Sequence, residues 1–181
     1  FELIETDDVR AACDLFADAY RETNGIDAYV SIEVSPGVAD DAAATVAEGQ
    51  RLWATVDRPN VMVKVPGTTE GAIAVRRLIA DGINVNVTLL FSIDAHARVI
   101  EAYLGGLEDR LAAGKPIDRL ASVASFFVSR VDSEIDKRLD AIAASAGEGV
   151  RDGILALRGR AAVANAQPAY PPFTQLFSGE R

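Results

Sequence analysis

An α/β fold on a parallel sheet is what this sequence predicts, and two observations carry the prediction. Four short apolar runs alternate with amphipathic segments of helical period, the mark of strand–helix repetition. Each run also has one apolar face and one face with polar groups near its C-terminal end. The expected strands are residues 28–34, 60–66, 83–91 and 123–130. A helix at about residues 7–22 precedes them, and further helices are expected at about 40–56, 69–80, 93–113, 133–144 and 152–165.

The punctuation agrees. Thr68 is placed to cap the helix that starts at Thr69, and Gly82 to end it. Ser92 and Gly114 bracket the next helix, and Asp132 is expected to cap the one after. Ser35-Pro36-Gly37 and Pro66-Gly67 read as turns just past strand ends. Pro168, Pro171 and Pro172 interrupt a helical pattern and are expected to kink or stop it.

Composition narrows the function. The chain has 181 residues, 49% hydrophobic and 25% charged, which suits one domain over residues 1–181. No apolar run approaches the ~20 residues that cross a bilayer, so no membrane role is expected. A net charge of −9 argues against a nucleic-acid partner and requires a local positive site for any anionic substrate. The single cysteine, Cys13, cannot form an internal disulfide, which fits a reducing cytoplasm, and its expected role is a small core residue. The single histidine, His96, is too little for a zinc cluster and is expected to be structural or solvated; no metal site is expected.

One residue breaks the apolar pattern. In Val61-Met62-Val63-Lys64-Val65-Pro66 a lysine sits inside what reads as a buried strand. A desolvated lysine tends to lose its proton, and a neutral amine forms Schiff bases with carbonyl compounds. The competing reading is a lysine at a strand edge that snorkels to water. Parity on the other strands bears on the choice. Glu33 shares a face with Tyr29 and Ser31, Asn86 with Asn84 and Thr88, and Ser125 with Phe127 and Ser129.

Taken singly, each has a plain structural reading. Asn and Thr satisfy neighbours, Glu33 is a surface carboxylate, Ser125 packs, and Arg130 pairs with Asp132. Together they suit a site that activates an amine and moves protons. Glu33 holds a water within reach of Lys64, Thr88 fixes it, Asn86 and Ser125 bind substrate hydroxyls, and Arg130 holds a phosphate. Such groups gather at the C-terminal edge of barrels and of open doubly wound sheets alike.

These motifs resemble the transaldolases. Val61–Gly71 is similar to that family's lysine motif, and Ser31-Ile32-Glu33-Val34 to its glutamate strand. Gly82–Ser92 resembles its asparagine–threonine strand, and Ser122–Asp132 its serine–arginine strand, with wording closest to the actinobacterial branch. The resemblance spans residues 6–177. It implies a (β/α)8 TIM-barrel of class I aldolase type, working with neither metal nor cofactor. It implies transfer of a dihydroxyacetone unit between ketose and aldose phosphates of the pentose phosphate pathway. By it, Lys64 is the Schiff-base lysine, Glu33 and Thr88 hold the catalytic water, and Asn86, Ser125 and Arg130 bind the sugar phosphate.

Fructose 6-phosphate aldolases share the lysine motif but carry glutamine at the Glu33 position and lack the Asn86–Thr88 pair. Only about four β/α units are present, whereas a closed barrel takes ~250 residues. The chain is therefore expected to be a middle section of a longer enzyme, without the family's acid/base aspartate strand, its threonine–asparagine–proline strand and a later phosphate-binding strand. Two alternatives stand beside this: a Schiff-base aldolase that releases the ketone, and a non-catalytic sugar-phosphate binder. Open sheet edges make a homo-oligomer possible.

Overall fold

The computed structural model describes residues 2–177. Its centre is a four-stranded sheet in the order β1 (Val30–Glu33), β2 (Val61–Pro66), β3 (Val85–Leu90), β4 (Ser122–Phe126). Sequential order with parallel β1–β2 and β2–β3 pairing is the fingerprint of right-handed βαβ units. The register sets Glu33 opposite Lys64, and Lys64 opposite Asn86. In β2, Val61, Met62, Val63 and Val65 are each at most 2% exposed, as expected of an inner strand covered on both faces.

The chain divides into two compact units, residues 1–88 with 98–125, and residues 89–97 with 126–181. In the first, α1 (Glu2–Leu15), α2 (Ala17–Glu22), α3 (Ala42–Val56) and α4 (Thr69–Asp81) accompany the sheet. Helix α3 buries Thr45, Gly49, Leu52 and Val56, and α4 buries Ala72, Ala74, Val75, Leu78 and Ile79, each set one stripe of a helix. Thr68 caps α4 by accepting from Gly71 N, and Gly82, at φ +96°, ends it. Gly71 is required by space: a Cβ there would lie 1.9 Å from Pro66 O. The first turn of α4 is thus pressed directly onto the end of β2. Helix α5 (Ile93–Ala112) follows β3, with Ser92 Oγ accepting from Ala95 N at its start and Gly114 closing it at φ +70°.

The second unit contains α6 (Ser129–Ser145), α7 (Glu148–Leu155), α8 (Ala161–Ala166) and α9 (Tyr170–Phe177). Carboxylates of α6 fasten α8 and the segment before it: Asp136 accepts from Gly159 N and Asp132 from Ala162 N. Pro168 sits in a 3-10 turn (Gln167–Ala169), and Pro171 and Pro172 occupy the first turn of α9, where a missing N–H costs nothing.

Several expectations need correction. Strand β4 ends at Phe126 rather than at 130, so Ser129 and Arg130 open α6 instead of continuing the sheet. Asp132 therefore lies inside α6 and does not cap it; its carboxylate is taken by Ala162 N. The first helix breaks at Phe16, and the helix expected over 152–165 is interrupted around Gly159, at φ +68°. The alternation of faces expected along each strand fails near the end of β3, at Leu89. Its backbone is left-handed, at φ +59°, which breaks the alternation and leaves the side chain 37% exposed.

Candidate active site

Lys64 is the centre of the polar face. Its Nζ donates to Glu33 Oε2 at 2.9 Å, across the β1–β2 register that places the two residues side by side. The lysine side chain is 30% exposed and the glutamate 42%, so the pair is held at a water-accessible strand end. The two readings of Lys64 thus meet: the residue lies in an otherwise buried strand, and its amine reaches both carboxylate and solvent.

Next along the register stands Asn86. Its Oδ1 accepts from Ser125 Oγ at 3.0 Å, and its Nδ2 donates to Ser31 Oγ at 3.0 Å. Ser31 and Asn86 lie on strands two apart and two residues out of register. On a flat sheet with ~4.8 Å between strands and ~3.3 Å per residue, these side chains would not meet. Their contact requires a staggered, concave face. Layers built from alternate strands are how barrel interiors are filled. Ser31 is the site member that sequence reading missed. Its parity with Glu33 was visible, but the stagger that carries it to Asn86 was not.

Thr88 is fully buried, and its Oγ1 has no hydrogen-bond partner among the described residues. An orphaned buried hydroxyl carries a desolvation cost and calls for an explanation. Its own carbonyl is engaged, accepting from Gly67 N at 2.7 Å at the end of β2. Beside Glu33 lies a cavity of about 390 Å³, lined also by Glu5, Ser35, Glu48 and Leu52. Three carboxylates make that cavity a poor seat for a phosphate.

The remaining candidate, Arg130, belongs to the second unit and is described there. It is exposed on the first turn of α6, with its guanidinium 4.9 Å from the centre of the Phe127 ring. The expected pairing with Asp132 does not form, and among the described residues Arg130 makes no ion pair. A cation at a helix N-terminus adds to the positive end of the dipole, so together they favour an anion. His96 is structural, as expected: it is 7% exposed and stands edge-on to Phe126, and burial holds its imidazole below the usual range. Cys13 is wholly buried, and desolvation pushes its thiol upward. The asparagines Asn60 and Asn84 are buried and donate to backbone carbonyls, Asn60 to Cys13 O in α1 and to Ala28 O, and Asn84 to Pro59 O and Val61 O.

Comparison with known proteins gives a consistent answer. The family model described as transaldolase/fructose-6-phosphate aldolase matches residues 1–178. A protein named transaldolase from Mycolicibacterium smegmatis is 49% identical over 178 residues, covering 98% of this chain and 46% of that relative. Transaldolases from Kocuria rhizophila and Trichodesmium erythraeum are 51% and 45% identical, with 45% and 48% of their lengths covered. The chain thus spans about half the length of the curated relatives it matches. With a parallel barrel-type sheet and a lysine–glutamate pair at its strand ends, the chain belongs to the transaldolase/fructose-6-phosphate aldolase family.

Proposed function

We propose that this chain supplies the Schiff-base part of a transaldolase, residues 1–181 forming part of one (β/α)8 barrel. The observation that carries the reading is the contact between Lys64 and Glu33 at adjacent strand ends. In the proposed reaction Lys64 Nζ adds to the carbonyl carbon of a ketose phosphate. Loss of water leaves a C=N bond in place of C=O. The bond between C3 and C4 then breaks: the C4 hydroxyl gives up its proton and becomes the carbonyl of a departing aldose phosphate, and the bonding pair passes toward the C=N group, leaving the dihydroxyacetone unit on nitrogen as an enamine until an aldose acceptor takes it. Addition to the carbonyl and loss of water each need a proton moved at or near Nζ, and Glu33 is the carboxylate within reach. The unpartnered Thr88 hydroxyl suits a water shared with Glu33. Asn86 and Ser125 retain lone pairs and an N–H for substrate hydroxyls. Arg130 at the head of α6 suits the phosphate. Glu33, Asn86 and Thr88 favour transfer over the aldolase reaction that the family description also includes.

The test uses a chimaera in which this stretch replaces the matching stretch of the Mycolicibacterium smegmatis relative. Borohydride with fructose 6-phosphate is expected to fix the sugar on Lys64, located by peptide mass mapping. An adduct on Lys115 or Lys137 instead, or no adduct, overturns the assignment. Transfer to an aldose acceptor, compared with release of dihydroxyacetone, separates transaldolase from aldolase.

A further inference from the structure

We propose that Thr68 is a positioning residue for the Lys64–Glu33 pair, acting as a clamp between the two loops that follow their strands; this rests on the reading of Lys64 as nucleophile. The Thr68 hydroxyl has two jobs. It accepts from Gly71 N at 2.8 Å as the cap of α4, and it donates to Ala39 O at 2.7 Å. Ala39 ends the 3-10 turn (Pro36–Val38) that follows β1, and Thr68 lies just past the end of β2.

The loop after β1 is otherwise tied to its own helix. Ser35 N donates to Glu48, Thr45 Oγ1 donates to Val38 O, and Asp41 caps α3. Among the described residues, Thr68 to Ala39 is the one hydrogen bond between this loop and the turn after β2. The last ladder bond between these strands, Val34 N to Lys64 O at 3.1 Å, lies four residues before Thr68. Beyond it, the clamp ties the two loops to each other, while Gly67 N, donating to Thr88 O at 2.7 Å, holds the end of β2 to β3. Glu33 and Lys64 are the last registered pair before those loops, their backbones held by the ladder and their partly exposed side chains adjoining the segments that the clamp ties together.

Capping and clamping can be separated because one needs an acceptor and the other a donor. Thr68→Asp keeps the acceptor for Gly71 N and presents a carboxylate to Ala39 O. Thr68→Ala loses both functions, and Thr68→Ser keeps both. The first readout needs no sugar: the rate of reductive methylation of Lys64 by formaldehyde in the 181-residue chain, with exposed Lys115 and Lys137 as internal references.

Release of the amine from Glu33 is expected to raise the Lys64 rate in Thr68→Asp roughly twofold to fivefold, the size expected for a partly exposed pair. The thermal midpoint of Thr68→Asp should stay near that of the parent, while that of Thr68→Ala falls. Thr68→Ser should match the parent in both measurements. In the chimaera, sugar trapping by Thr68→Asp should slow on the order of tenfold, because the amine is misplaced. An unchanged Lys64 methylation rate in folded Thr68→Asp or folded Thr68→Ala overturns the clamp. Failure of the parent chimaera to trap sugar overturns the proposed reaction instead, and the methylation result still decides the clamp.

Discussion

A carboxylate 2.9 Å from an amine can orient it, relay its protons, or do both, and Glu33 is placed for both. Glu33→Gln keeps a hydrogen-bonding side chain of the same length but removes the proton acceptor. In the chimaera, kcat is expected to fall on the order of 100-fold with KM little changed, the mark of a group that works in the transition state. A large rise in KM at unchanged kcat would make Glu33 a binding residue.

Arg130 should behave in the opposite way. Arg130→Ala is expected to raise KM for fructose 6-phosphate and to leave the use of unphosphorylated dihydroxyacetone unaffected, as measured by paired kinetics on the two substrates. Equal losses on both would reject the phosphate role. At this scale the sequence was largely legible. A lysine in an apolar run and polar residues of matched parity are local signals. Two features were not local. Ser31 joins Asn86 only through the stagger of the sheet, and the orphaned hydroxyl of Thr88 is a property of burial.

Elements were read well where one signal dominated. Strand β2 is a continuous apolar run closed by Pro-Gly, and α4 has Thr68 and Gly82 at its ends. Strand β4 was read too long because Phe126-Phe127-Val128 continues the apolar run past the last ladder residue. Helix α6 then begins at Ser129 with no side-chain cap to announce it. The break at Gly159 carried a visible signal, a glycine in a helical pattern, which the longer periodicity outweighed.

The packing of α5 makes a prediction at this scale. His96 stands buried against Phe126, and desolvation lowers its folded pKa below the ordinary value of about 6.5. The unfolded chain therefore binds a proton at a higher pH than the folded one. The stability tied to the neutral ring is fully present above about pH 6.5 and is lost as pH falls toward the folded value. Unfolding midpoints between pH 7.5 and 5 should fall more steeply for the parent chain than for His96→Gln. Parallel curves would show that the ring keeps its ordinary titration.

At the scale of the molecule, the sheet among the described residues has two outer edges, on β1 and on β4. On β4, Val123 is 45% exposed and Ala124 is exposed as well. Unpaired N–H and C=O groups beside exposed apolar side chains are a template for association. A concave face with a stagger like that between Ser31 and Asn86 suits a section of a barrel, and a (β/α)8 barrel takes eight strands where the sheet among the described residues has four. The chain covers 46–48% of the relatives named transaldolase from Mycolicibacterium smegmatis and Trichodesmium erythraeum. The 181-residue chain by itself is therefore expected to self-associate, seen as a concentration-dependent mass in sedimentation. Its transaldolase turnover should be below about one-hundredth of the chimaera's, the loss that follows when a proton-transfer group is missing. Lys64 and Glu33 would then be present and paired without the acid/base partner that breaks the carbon–carbon bond. Turnover equal to the chimaera's by a monomer would mean that four strands suffice, and that Glu33 or another residue of this chain does that work.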